Sequence, residues 1–185
     1  IIGDIRCFKA SFGFPPFPDK NNHRYVKSLG GGALLDAGCY TVKAATSILG
    51  SDLTVSSASM NKSGNYEVDI WGAASLQRAD GVVAQLSFGF DNSYQCSYEV
   101  WGSEGRLVVQ RAFTAPPNLA TRILLETRRG GVQEISIAPE DQFFSMLCAC
   151  RKYIEFEAFE NEYAECVSQA ILLNQIGKKA KFYDG

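Results

Sequence analysis

The segment VVAQLSFGF, residues 82–90, alternates without a break: Val82, Ala84, Leu86, Phe88 and Phe90 share one face, and Val83, Gln85, Ser87 and Gly89 share the other. A period of two sustained this long is a strand with one buried and one wetter face, the pattern of an antiparallel sheet. Such a strand needs neighbours of its own kind, and the chain supplies them. RADG (78–81) predicts a tight turn joining it to a strand over Tyr66–Leu76, and SEG (103–105) joins Gln95–Gly102 to Arg106–Gln110. Further strands are expected at residues 2–12, Leu53–Met60, Thr121–Thr127 and Val132–Ile137, the last two linked by RRGG.

Three helices complete the pattern. Over Ala33–Leu49, the residues Leu34, Gly38, Val42, Ala45 and Leu49 fall within one arc of about 80°, and Gly50 stops the helix. In PEDQFFSMLCACRKYIE the stripe is Phe143, Leu147, Cys150 and Ile154; in the last helix it is Tyr163, Val167, Ala170, Ile171 and Asn174. Both stripes are expected to pack on the sheet. The fold class is therefore α+β: a large open-faced, mostly antiparallel sheet of about seven to eight strands with helices packed on one face. A chain of 185 residues, 46% of them hydrophobic, fills one such core, so residues 1–185 read as a single domain. Tyr94, Tyr98, Trp71 or Trp101, depending on register, fall on the uncovered face and suggest a partner surface, another copy of the chain.

Charge narrows the function. Eighteen basic side chains stand against twenty acidic ones with no long basic block, which argues against nucleic acid or an anionic membrane as partner. There is no apolar run long enough to span a bilayer and no leader pattern at residue 1, so a cytoplasmic domain is expected. The opening IIGDIRC, already in a β-branched run, reads as the cut end of something longer. Six cysteines without a CxxC spacing and a single histidine, His23, give no metal pattern, and reduced thiols are expected.

The run GGGALLDAGCY (30–40) invites comparison with a phosphate loop, yet it follows a loop rather than a strand and has neither GxGxxG nor GxxxxGK[ST] spacing. The helix behind it is more informative. Asp36, Tyr40 and Lys43 stand at i, i+4 and i+7, within about 60° of one another on the face opposite the apolar arc. A carboxylate, a phenol and an ammonium so placed suit proton transfer to a carbinol or carbonyl oxygen. A solvated helix face with an incidental Asp and Tyr is the alternative.

The order GGGALLDAGCY, TVKAATSILG, RADGVVAQLSFGF, YEVWGSEGRLVV and a late EDQFFSML helix resembles the C-terminal domain of the glucose-fructose oxidoreductase/inositol dehydrogenase (Gfo/Idh/MocA) family over nearly the whole chain. The resemblance implies a dihydrodipicolinate-reductase-like sheet domain from a two-domain oxidoreductase of sugars, polyols or nucleotide-linked sugars. It implies a Rossmann domain, absent from this chain, that holds NAD or NADP, so no cofactor is expected on this chain alone. The family's Asp-x-x-x-His or Asp-x-x-x-Tyr pair maps onto Asp36 and Tyr40 as catalytic residues. Arg24 and Tyr25 in the preceding loop become candidate substrate contacts, as does Lys43, which stands where the family often has Asp or Asn. The family's Glu-Lys-Pro lysine has no counterpart here. A sugar or polyol substrate and a homo-oligomer through the open sheet face are expected; a non-catalytic oligomerisation or sugar-binding domain is the alternative.

Overall fold

The alternation at 82–90 becomes a central strand whose inner face, Val82, Ala84, Leu86, Phe88 and Phe90, is 7, 0, 1, 3 and 0% exposed. The computed structural model describes residues 1–62, 66–157 and 159–184. Its strands are β1 (Ile5–Gly13), β2 (Leu53–Lys62), β3 (Trp71–Arg78), β4 (Val83–Gly89), β5 (Gln95–Gly102), β6 (Gly105–Gln110), β7 (Thr121–Thr127), β8 (Gly131–Ile137) and β9 (Lys181–Asp184). They form one nine-stranded sheet in the order β8-β7-β6-β5-β1-β4-β3-β2-β9.

Both expected hairpins are present. The RADG turn between β3 and β4 is closed by Arg78 on Asp80 and by Gly81 at a φ of 92°. The SEG turn joins antiparallel β5 and β6. Two features depart from a meander. β1 lies between β5 and β4, antiparallel to the first and parallel to the second, with Phe8 opposite both Val100 and Ala84. The exposed four-residue β9 adds a parallel edge beside β2, a strand that no alternation of its own marks.

The first helix is a π-helical turn (Leu34–Gly38) running into α1 (Cys39–Leu49). Its expected apolar arc is buried at all five positions. Gly38 allows the close approach to β4, since a Cβ there would stand 3.1 Å from the Phe88 ring. α2 spans Gln142–Phe156 and α3 Glu160–Lys179. Here the stripes expected to pack on the sheet do not. Phe143, Leu147, Ile154, Tyr163, Val167 and Ile171 are each more than half exposed, whereas α3 buries Leu172 and Ile176. The rotation of α3 is set by its last turns, where Leu172 and Ile176 enter the core and Lys179 Nζ donates to the Val55 carbonyl at 2.8 Å. Helices thus cover one face through α1 and the end of α3; α2 buries no residue.

On the opposite face a row of ion pairs crosses four strands: Lys9 to Glu99 (3.8 Å), Glu99 to Arg106 (3.5 Å) and Arg106 to Glu126 (3.1 Å). The register puts Trp71 and Trp101 on this face, 43 and 54% exposed. Tyr98 points the other way and stacks on Phe8. Among the described residues no helix is long and apolar enough to cross a membrane.

Candidate active site

The glycine run delivers the chain into the π-turn under tight packing. A Cβ on Gly31 would lie 2.4 Å from the Arg24 carbonyl oxygen; Gly32 has a φ of 121°, and its Cβ would lie 2.4 Å from Asp69 Oδ1. The helix start is capped from a distance. Asp69 Oδ2 accepts the Leu34 amide at 2.6 Å, and the Asp69 carbonyl accepts the Ala33 amide at 2.8 Å. The amino end that could have met a phosphate is therefore occupied by the protein's own carboxylate. Sequence reasoning missed Asp69, which lies far along the chain within no motif.

From this turn Asp36 and Tyr40 face a cleft of about 490 Å³ shared with Phe12, Phe14, Phe17, three prolines, Arg24, Tyr94 and Thr114. Arg24 Nε donates to Asp36 Oδ2 at 2.9 Å, and its guanidinium lies 4.8 Å from the centre of the Phe17 ring. Tyr40 packs edge-on against Phe12 (5.1 Å between ring centres) and is tilted against Phe113 (6.0 Å). Burial raises the pKa of its phenol, with Cys39 and Asp36 adding to the rise and Arg24 opposing it. The phenol is a proton donor at neutral pH. Among the described residues no hydrogen bond joins Asp36 to Tyr40; the carboxylate is oriented by Arg24.

Two expected site residues lie elsewhere. Tyr25 is 7% exposed, stacks on Tyr66 at 4.5 Å and accepts the Phe17 amide on its hydroxyl at 3.0 Å. It braces the proline-rich loop from within. Lys43 pairs with Glu165 of α3 and lines a separate groove with Thr46, Ser47 and Gln169. The Cys39 carbonyl at the junction of the π-turn and α1 is satisfied by Gln169 Nε2 at 2.9 Å. His23 lies in a short 3-10 turn, all six cysteines are free, and no group able to hold a metal ion occurs among the described residues.

The chain thus builds an open-faced, mostly antiparallel sheet backed by helices on one face, with Asp36 and Tyr40 opening on an aromatic cleft. Residues 1–108 match the profile described as the GFO/IDH/MocA C-terminal domain, and the chain belongs to that family. It is 41% identical over 184 residues to a dTDP-3,4-didehydro-2,6-dideoxy-alpha-D-glucose 3-reductase of Saccharopolyspora spinosa, covering 96% of this chain and 55% of that protein. The counterpart from Actinomadura kijaniata is 35% identical, with 98% of this chain and 54% of that protein covered. A 3-ketoreductase from Actinomadura kijaniata, solved with NADP and TDP-benzene, superimposes with a TM-score of 0.94 at 34% identity, over 100% of this chain and 56% of that one. The chain thus spans about half the length of the curated relatives it matches.

Proposed function

We propose that this chain is the substrate and catalytic domain of an NADP-dependent oxidoreductase that reduces the keto group of a nucleotide-linked sugar. The observation carrying this reading is the partly covered Tyr40 phenol in one cleft with the Arg24–Asp36 pair. Bound reduced nicotinamide supplies the hydride. The aromatic and proline wall (Phe12, Phe14, Phe17) suits a planar ring, while the dinucleotide phosphates are held outside this chain, because the glycine run has no free cradle. Tyr40 donates a proton to the substrate carbonyl oxygen, and the raised phenol pKa keeps that proton available. Arg24, fixed by Asp36 and Phe17, holds a polar edge of the sugar. The relatives named as 3-reductases of dTDP-linked keto sugars support the substrate class.

Tyr40→Phe in the intact protein removes only the hydroxyl, so turnover should fall roughly 100- to 10,000-fold while NADP affinity and thermal midpoint hold. Turnover at the wild-type level would sink the assignment. Titration with NADPH, followed by nicotinamide fluorescence, should show binding by the intact protein and none by this stretch alone. The uncovered sheet face is the proposed contact between copies of the protein.

A further inference from the structure

We propose that Tyr94 and Arg111 form the subsite for the nucleoside diphosphate half of the substrate; the inference rests on the nucleotide-sugar reading above. Tyr94 and Thr114 line the same cleft as Tyr40 and the Arg24–Asp36 pair. Tyr94 is 39% exposed, an open aromatic ring in a protein that packs most of its aromatics against one another. The Arg111 guanidinium lies 4.4 Å from the centre of that ring.

Charge separates the two arginines. Arg24 is neutralised by Asp36 at 2.9 Å, so it adds little net attraction for an anion. Arg111 has no carboxylate within ion-pair distance among the described residues. A planar guanidinium with free donors suits a phosphate, and a tyrosine ring beside it suits a planar base.

The backbone adds an independent sign. Arg111 has a φ of 52°, and the other non-glycine residue with positive φ among those described, Glu157, is a helix C-cap, where that conformation is ordinary. At Arg111 it turns the chain straight out of β6, and the next two residues hold the turn in place. The Ala112 amide donates to the Cys96 carbonyl at 3.0 Å, and the Phe113 amide to Cys96 Sγ at 3.4 Å. Phe113 in turn packs on Phe12 and Tyr40. One short segment, pinned to β5, therefore both backs the catalytic phenol and presents the unpaired cation. A diphosphate seated on Arg111 would leave its sugar within the same cleft as Tyr40.

The test is calorimetric binding of thymidine diphosphate to the intact protein in the presence of NADP. Arg111→Ala and Tyr94→Ala should each weaken binding roughly tenfold or more. Arg111→Lys should fall between, since it keeps the charge without the planar fork, and Tyr94→Phe should bind as wild type. NADP affinity and thermal midpoint should stay put in all four, and the KM for a nucleotide-linked sugar should rise with the diphosphate dissociation constant. Wild-type affinity in both alanine variants would overturn the subsite. If the unaltered protein binds no thymidine diphosphate while Tyr40→Phe still abolishes turnover of a free sugar, the subsite falls and the proton-transfer chemistry stands. If Tyr40→Phe turns over normally while Arg111→Ala binds weakly, the subsite stands and the role given to Tyr40 falls.

Discussion

The Asp69 carboxylate accepts the Leu34 amide at 2.6 Å while burial, its largest perturbation, holds its pKa above that of a free aspartate. A group that titrates higher folded than unfolded favours folding most below its unfolded value and loses that contribution as pH rises through the folded one. Asp69→Asn should therefore flatten the fall in stability that sets in as pH rises above about 4, the free aspartate value, read from urea midpoints. Asp69→Ala strips the cap and should cost about 1–2 kcal/mol. At Tyr40 the neighbouring charges oppose each other: Arg24 lowers the phenol pKa and Asp36 raises it, so Arg24→Gln should move the alkaline limb of the rate profile to higher pH. A limb that stays put or moves down would show that Arg24 does not act on the phenol. Asp36 and Tyr40 were legible because residues four apart along a helix share a face. Asp69 was not, because a cap lent by a distant loop leaves no periodicity.

Among elements, legibility followed local pattern. The β4 alternation, the RADG and SEG turns and the arc of α1 are set by neighbours in sequence, and each is realised. α2 and α3 carry equally regular stripes, yet burial of a helix face is a tertiary fact, and their exposed Phe143, Leu147, Val167 and Ile171 show that a stripe alone does not name its partner. Lys43 turns to Glu165 of α3, a contact between elements that spacing along the chain does not announce. This difference in anchoring should be measurable in the isolated chain by amide hydrogen exchange. α1, with Val42 and Ala45 at 0% exposure, should exchange only on near-global opening; α2, with no buried residue, should exchange by local fraying. Comparable protection in both would mean that α2 finds a partner of its own.

At the scale of the molecule, the helix-free face sets Trp71 and Trp101 beside a charge row from Lys9 to Glu126, a mixed surface suited to a self-complementary contact. In the intact protein Trp101→Glu should lower the sedimenting mass by at least half and leave the unfolding midpoint of the separated subunit within about 0.5 kcal/mol of wild type, as for a surface change. An unchanged mass would place the contact elsewhere. The sheet order has a different consequence, one of timing. Phe8 in β1 waits for Ala84 and Val100, 76 and 92 residues downstream. At ribosomal speed that is on the order of ten seconds during which β1 has two bare edges and an amphipathic face. Within the sheet β1 precedes both of its neighbours, with β2 and β3 made in between, so the yield of native protein depends on how well the nascent chain is shielded until β5 emerges.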